Sequence, residues 1–286
     1  MRQLKIGDWV NNSVPENFYE CSFSQKVQAM TAKIYFELDN MPDGTVSKVK
    51  TELCLELGRI PKKLFKQLSA EQVIAIKRLW SWVGEIKITK QPFEFFEFQG
   101  VRYYLPSDNF ANTSAIEWAM SMILYTQFGR SENPNGKAIY ELVMTLCRPA
   151  RADAEAHRKS TKWNGDVREE YNSFLAQERA EKIESGLEWG VILSVKEFYE
   201  NMLTTFAKKY ETLFEETDLK PLFYGGEGCI AMLEDVAESD VFGNLEKVYD
   251  ANIDSIYMYL KHKKLKAERM EDEEEKRQRD LENGFR

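Results

Sequence analysis

The 286-residue chain is poor in the residue types that most active sites need. It has two histidines, His157 and His262, both in polar, charged stretches, and neither has a metal-ligating partner at i+3 or i+4. That argues against a histidine-based triad and against a zinc centre. The four cysteines, Cys21, Cys54, Cys147 and Cys229, lie far apart and form no C-x-x-C pair. Free, buried thiols in reducing surroundings fit that spacing better than a disulfide framework or a metal site. No window reaches 18 apolar residues, and the opening MRQLKIGDWV has no apolar run followed by a cleavage site. The expectation is a soluble intracellular protein with no signal peptide and no membrane span. GGEGC at 225–229 lacks the G-x-x-x-x-G-K-[ST] pattern of a phosphate loop and reads as a turn. No aspartate cluster is flanked by strand-like runs, as a two-metal nuclease would have. A carboxylate-only metal site needs no histidine and stays open. No fixed-period repeat is present.

Apolar residues make up 43% of the chain and aromatics 13%, enough for a real core. With 39 basic and 47 acidic residues the net charge is −8, which repels phosphate backbones and disfavours nucleic acid as a partner.

Periodicity divides the chain into an N-terminal helical region (1–90), a β-hairpin (91–106), a helical body (107–262) and a charged tail (263–286). In the first region Val27, Met30, Thr31, Ile34, Tyr35 and Leu38 recur at helical spacing. Pro42, Asp43 and Gly44 mark a turn. Val46, Val49, Leu53 and Leu57 suggest a second helix, although TELCLEL also reads as a strand. Pro61 opens a short helical turn, and Ser69 with Gln72 forms a capping box for a helix ending at Gly84.

QPFEFFEFQGVRYYLP, at 91–106, sets six aromatic rings around Gly100. Two short β-forming runs meeting at FQGV predict a hairpin. A base-stacking platform would place its rings beside Lys and Arg. Here the interleaved residues are Glu94, Glu97, Gln99 and a single Arg102, so the rings read as core or interface.

In the body, Ser114 with Glu117 forms a second box. Asn133-Pro134 reads as a cap and first-turn proline before a helix with Ile139, Leu142, Val143 and Leu146 on one face. Residues 149–165 read as a long polar loop, and Asp166 with Glu169 as the cap of the next helix. The segment 191–214 has the strongest helical period, with Val191, Val195, Phe198, Met202, Phe206 and Tyr210. The last long helix carries the stripe Leu245, Tyr249, Ile253, Ile256 and Leu260, which fails beyond Lys261. Its tail is a solvated helix end or an arm that orders on a partner. The fold class is therefore mainly α: a multi-helix globular body with one short aromatic β-hairpin and a long charged C-terminal helix.

Partner-binding candidates are Phe96, Tyr103 and Tyr104 of the hairpin, and Arg148, Arg151, Arg158 and Lys159 of the basic patch CRPARADAEAHRKSTK. Lys263 and Lys264 of the tail complete the set. Met120, Met122 and Met144 are candidates for an adaptable groove. No catalytic, cofactor-binding or metal-ligating residue is assigned.

Taken in order, RIPKKLFKQLSAEQVIAIKRLWSWVG, FEFFEFQGVRYYLP, ELVMTLCRPAR, VILSVKEFYENML and AMLEDVAESDVFGNLEKVYDANIDSIYMYLKHKKLKAE resemble helical proteins encoded among the tail or head–tail genes of Bacteroidetes-type bacteriophages and prophages. The likeness covers most of 58–268 and rests on packing patterns, so no catalytic residue carries over. It implies a non-enzymatic virion morphogenesis protein, either a tail-assembly chaperone or a head–tail component. Its partners would be phage tail or head–tail proteins, with self-association open. It would work in the bacterial host cytoplasm, and in the virion if it stays in the particle. The alternatives are a bacterial helical interaction or regulatory protein and an unrecognised enzyme.

Overall fold

The computed structural model describes residues 1–37, 42, 44–129, 134–161, 163–214 and 222–284. It is mainly helical. The first element, however, is not a helix: β1 (Arg2–Ile6) and β2 (Val10–Val14) form an antiparallel hairpin in register Arg2↔Val14 to Ile6↔Val10. This corrects the expectation of helices throughout 1–90. Leu4, Val10 and Val14 are buried while their neighbours face out, a period-2 pattern too short to outweigh the helical one that follows.

Helix α1 (Phe23–Glu37) starts with a reciprocal bond pair between Ser22 and Gln25. Of the two readings of TELCLEL the helix holds, as α2 (Thr45–Glu56), which buries Leu53 and Cys54. The short α3 (Lys62–Phe65) follows Pro61, and α4 (Ala70–Arg78) carries the Ser69–Gln72 box. α4 is shorter than its sequence suggests, because Ser81–Glu85 tightens into a 3-10 turn around buried Trp80 and Val83. Leu38 and Asp43 lie outside the described residues.

The aromatic hairpin pairs β3 (Phe95–Phe98) with β4 (Val101–Tyr104). Its two-residue turn needs positive φ at both positions, met by Gln99 (50°) and Gly100 (78°). β4 continues outward: Tyr104 exchanges both backbone bonds with Arg148, at 2.8 and 3.1 Å, and Ala150 bridges to Arg168. The hairpin thus anchors a ribbon made from the 147–169 segment. That segment contains α7 (Ala154–Arg158) and is not the continuous loop expected.

The single buried core reaches from β1, β2 and α1 through the aromatic hairpin to α5 (Ala115–Phe128), α6 (Ala138–Leu146), α8 (Ser173–Glu184) and α9 (Trp189–Lys209). α6 packs against α5, α8 and α9, and seven of its residues are buried, as befits a helix surrounded on most sides. It starts at Ala138, so Pro134 is not its first-turn proline, and Asn133 lies outside the described residues. α8 is capped by Asn172, whose side chain accepts from Leu175 N, and not by Asp166. α9 crosses α1 so closely that a Cβ on Gly190 would sit 2.0 Å from the carbonyl oxygen of Val27. Only glycine fits there.

Candidate interaction surface

α10 (Glu227–Glu238) leads to α11 (Leu245–Asp250) and α12 (Ile253–Gly284). The stripe read as one helix is broken at Ala251–Asn252, because that backbone pairs elsewhere. Ala115 N donates to Ala251 O (2.8 Å), Ile253 N donates to Thr113 O (3.1 Å), and the Asn252 amide donates to Ala111 O (2.9 Å). The break aims α12 across the body. Ile253, Ile256 and Tyr257 are buried, and Tyr257 lies in an aromatic cluster 5.3 Å from Trp118 and 4.7 Å from Phe206. The Tyr210 hydroxyl donates to Asp254 Oδ1 at 2.7 Å, and burial followed by that carboxylate pushes its pKa up.

Docking ends at Lys264, whose ammonium donates to Thr212 O at 2.6 Å. From Leu265 to Leu281 every residue is exposed, about 25 Å of helix at 1.5 Å per residue. A basic block (Lys261, Lys263, Lys264, Lys266) precedes an acidic one (Glu271, Asp272, Glu273, Glu274, Glu275). Ion pairs along the helix support it: Lys264–Glu268 (3.8 Å), Arg269–Glu273 (2.8 Å), Arg277–Glu274 (3.2 Å) and Arg279–Glu275 (2.9 Å). Through Gly284 the tail is thus a continuous helix, and its basic collar lies where the helix leaves the body.

The other candidate residues fall into two groups. Phe96 and Tyr103 are buried and stacked at 5.4 Å, so they belong to the core and not to a docking surface. Met144 is likewise fully buried, while Met120 and Met122 are half-buried. Tyr104 is half-buried beside Phe95. On α7, Arg158 is exposed over the ring of Trp163 at 5.9 Å, and exposed Lys159 pairs with Glu155 at 3.5 Å. Arg151 is neutralised by Asp153 at 2.5 Å.

Arg148 is not a surface residue, which corrects its place in the basic patch. Its side chain is 4% exposed and meets Glu117, itself 1% exposed, at 3.0 Å. Arg168, fully buried, donates to Glu117 Oε1 (2.7 Å), to both Asp166 oxygens (2.8 and 2.9 Å) and to Leu146 O (2.6 Å). Arg148 also donates to the carbonyls of Thr145 and Glu169. Two guanidiniums face two carboxylates, so the cluster is neutral. Burial opposes the charge of Arg168, but Glu117 and Asp166 outweigh it and raise its pKa. This cluster pins the 147–169 ribbon onto α5 and was not legible in the sequence. Ser114 does cap α5 by accepting from Glu117 N, yet the Glu117 carboxylate turns inward to the arginines and does not complete the box.

Among the described residues no group of three or more His, Cys, Asp or Glu could hold a metal ion, and no helix is long and apolar enough to cross a membrane. No disulfide links the four cysteines; Cys21, Cys54 and Cys147 are buried and Cys229 half-buried. Burial pushes the Cys54 and Cys229 thiols up to about 11, well above the range of a reactive thiolate. One groove runs between the 84–89 segment, α1 and α9. Five of its charges already pair with one another: Lys33 bridges Glu37 and Glu197, and Lys196 pairs with Glu200, which also accepts from the Tyr125 hydroxyl.

Comparison with family models, curated proteins and solved structures finds no match to this chain.

Proposed function

We propose that this protein is a non-enzymatic component of phage virion morphogenesis that binds tail or head–tail proteins, using the projecting part of α12 as its docking arm. The observation that carries the docking reading is the run of exposed helix from Leu265 to Leu281, rooted in a basic collar and ending beyond an acidic block. A polar helix held in solvent by its own ion pairs is already shaped for a partner, so binding need not supply the cost of ordering it. The resemblance of residues 58–268 to phage tail-region proteins supports the class of partner. The exposed Arg158–Trp163 pair on the α7 segment supports a second contact, since Trp and Arg are favoured at the energetic centres of interfaces.

The test is affinity purification from cells producing the phage, together with mass spectrometry of purified particles. Recovery with tail proteins but absence from particles identifies an assembly chaperone. Fixed stoichiometry in the particle identifies a structural component. Absence from both rejects the proposal in favour of a bacterial interaction protein or an enzyme. Deleting 265–286 is expected to abolish tail-protein recovery without lowering the melting temperature; unchanged recovery would remove the arm from the proposal.

A further inference from the structure

The stripe by which α12 docks on the body, Ile253, Ile256 and Leu260, continues past the body's edge as Lys263, Ala267, Met270 and Glu274. The spacing of 4, 3 and 4 keeps these four on one face. Lys264 and Glu271 flank that face on one side, Lys266 and Glu273 on the other. Lys263, Lys266 and Glu271 have no ion-pair partner among the described residues, while Glu273 and Glu274 pair within the helix with Arg269 and Arg277, solvent-exposed contacts that a second copy can exchange at little cost. Met270 is 70% exposed in the middle of the face.

This order of charges is complementary to itself when reversed. We infer that the exposed face of α12 associates with the same face of a second copy of this chain, antiparallel, about a two-fold axis between Glu268 and Arg269. In that register Lys263 meets Glu274 of the other copy, Ala267 meets Met270 and Lys266 meets Glu273. Every contact occurs twice and no like charges are opposed among them. A parallel pairing would set Lys263 on Lys263 and Glu274 on Glu274. The contact is a crossing confined to residues 263–274, because nearer the root of the helix the same face is covered by its own body. Its small area and exposed charges make it a weak, salt-sensitive dimer. The inference does not depend on the phage reading and is tested on the purified full-length chain.

Sedimentation equilibrium at low salt, up to about 0.5 mM protein, is expected to show a monomer–dimer equilibrium in the range of weak interfaces. Lys263→Glu or Glu274→Lys alone should weaken it about tenfold or more, since each reversal turns two attractive contacts repulsive. The double swap Lys263→Glu/Glu274→Lys should restore it to within about threefold, which simple helix damage would not do. As a check on register, chains carrying Lys263→Cys and chains carrying Glu274→Cys should form an oxidised dimer when mixed, and neither should do so alone. A wild-type chain that stays monomeric overturns the inference and leaves the face to a different protein. So does a dimer indifferent to the reversals, or self-linking of either cysteine variant.

Discussion

Replacing Glu117 with alanine strands two buried guanidiniums. In the native fold its carboxylate accepts from Arg148 and Arg168 at 2.7–3.3 Å, and all three side chains are 4% exposed or less. Without it the cluster carries a net positive charge, balanced only by Asp166, and the packing around the removed side chain is lost. Breaking a buried ion pair from one side costs about 3–5 kcal/mol. For a chain of this length that is a drop in melting temperature on the order of 10 °C. Urea denaturation should show the midpoint falling with an unchanged slope, because native and unfolded surfaces are little altered. Amide exchange should localise the damage, with residues 148–169 losing protection first, since the cluster is what ties that ribbon to α5. Glu117→Gln keeps the shape and one acceptor and should fall between wild type and alanine. Replacing Glu117, Arg148 and Arg168 together with apolar residues of similar volume should recover most of the loss, because no charge is then left unpaired. A Glu117→Ala protein within about 1 kcal/mol of wild type would refute the claim that this carboxylate compensates both arginines.

Three other outcomes are expected. Gly190→Ala should destabilise by at least about 1–3 kcal/mol in a denaturant melt, because the new methyl would overlap the Val27 carbonyl and force α1 and α9 apart. Tyr103→Ala should cost about 3–5 kcal/mol, as the ring is buried and stacked on Phe96; a near-neutral result would return the hairpin rings to the candidate docking surface. Glu141 has its pKa raised by burial and then by Glu181. An acid whose folded pKa is raised binds its proton more tightly in the native state, so its contribution to stability declines as pH rises from the ordinary carboxylate value through the raised one. Glu141→Gln should therefore melt higher than wild type at pH 7, with the difference shrinking as the buffer is taken down toward about pH 4.

Several elements follow from local chemistry and were legible in the chain. The 3.6-residue period of Val191, Val195, Phe198, Met202, Phe206 and Tyr210 specifies α9, and all six are buried. Ser69 and Gln72 make the cap that their spacing announces. Gly100 between two aromatic runs specifies the hairpin turn. Each of these depends on residues within a turn or two of one another, so the sequence alone contains the whole interaction.

Only the tertiary structure decided the rest. Glu117 and Asp166 look like helix caps, but burial opposite Arg148 and Arg168 gives each carboxylate a stronger partner than a backbone N–H. The apolar stripe from Leu245 to Leu260 breaks at Asn252 because segment 113–115 offers that backbone bonds from more than a hundred residues away. Arg148 and Arg158, ten positions apart in one basic patch, part company because the ribbon turns the first into the core and leaves the second against an exposed tryptophan. Local periodicity fixes which faces are apolar. Which charges are buried together depends on contacts between distant segments, and that pairing exists only once the chain has folded.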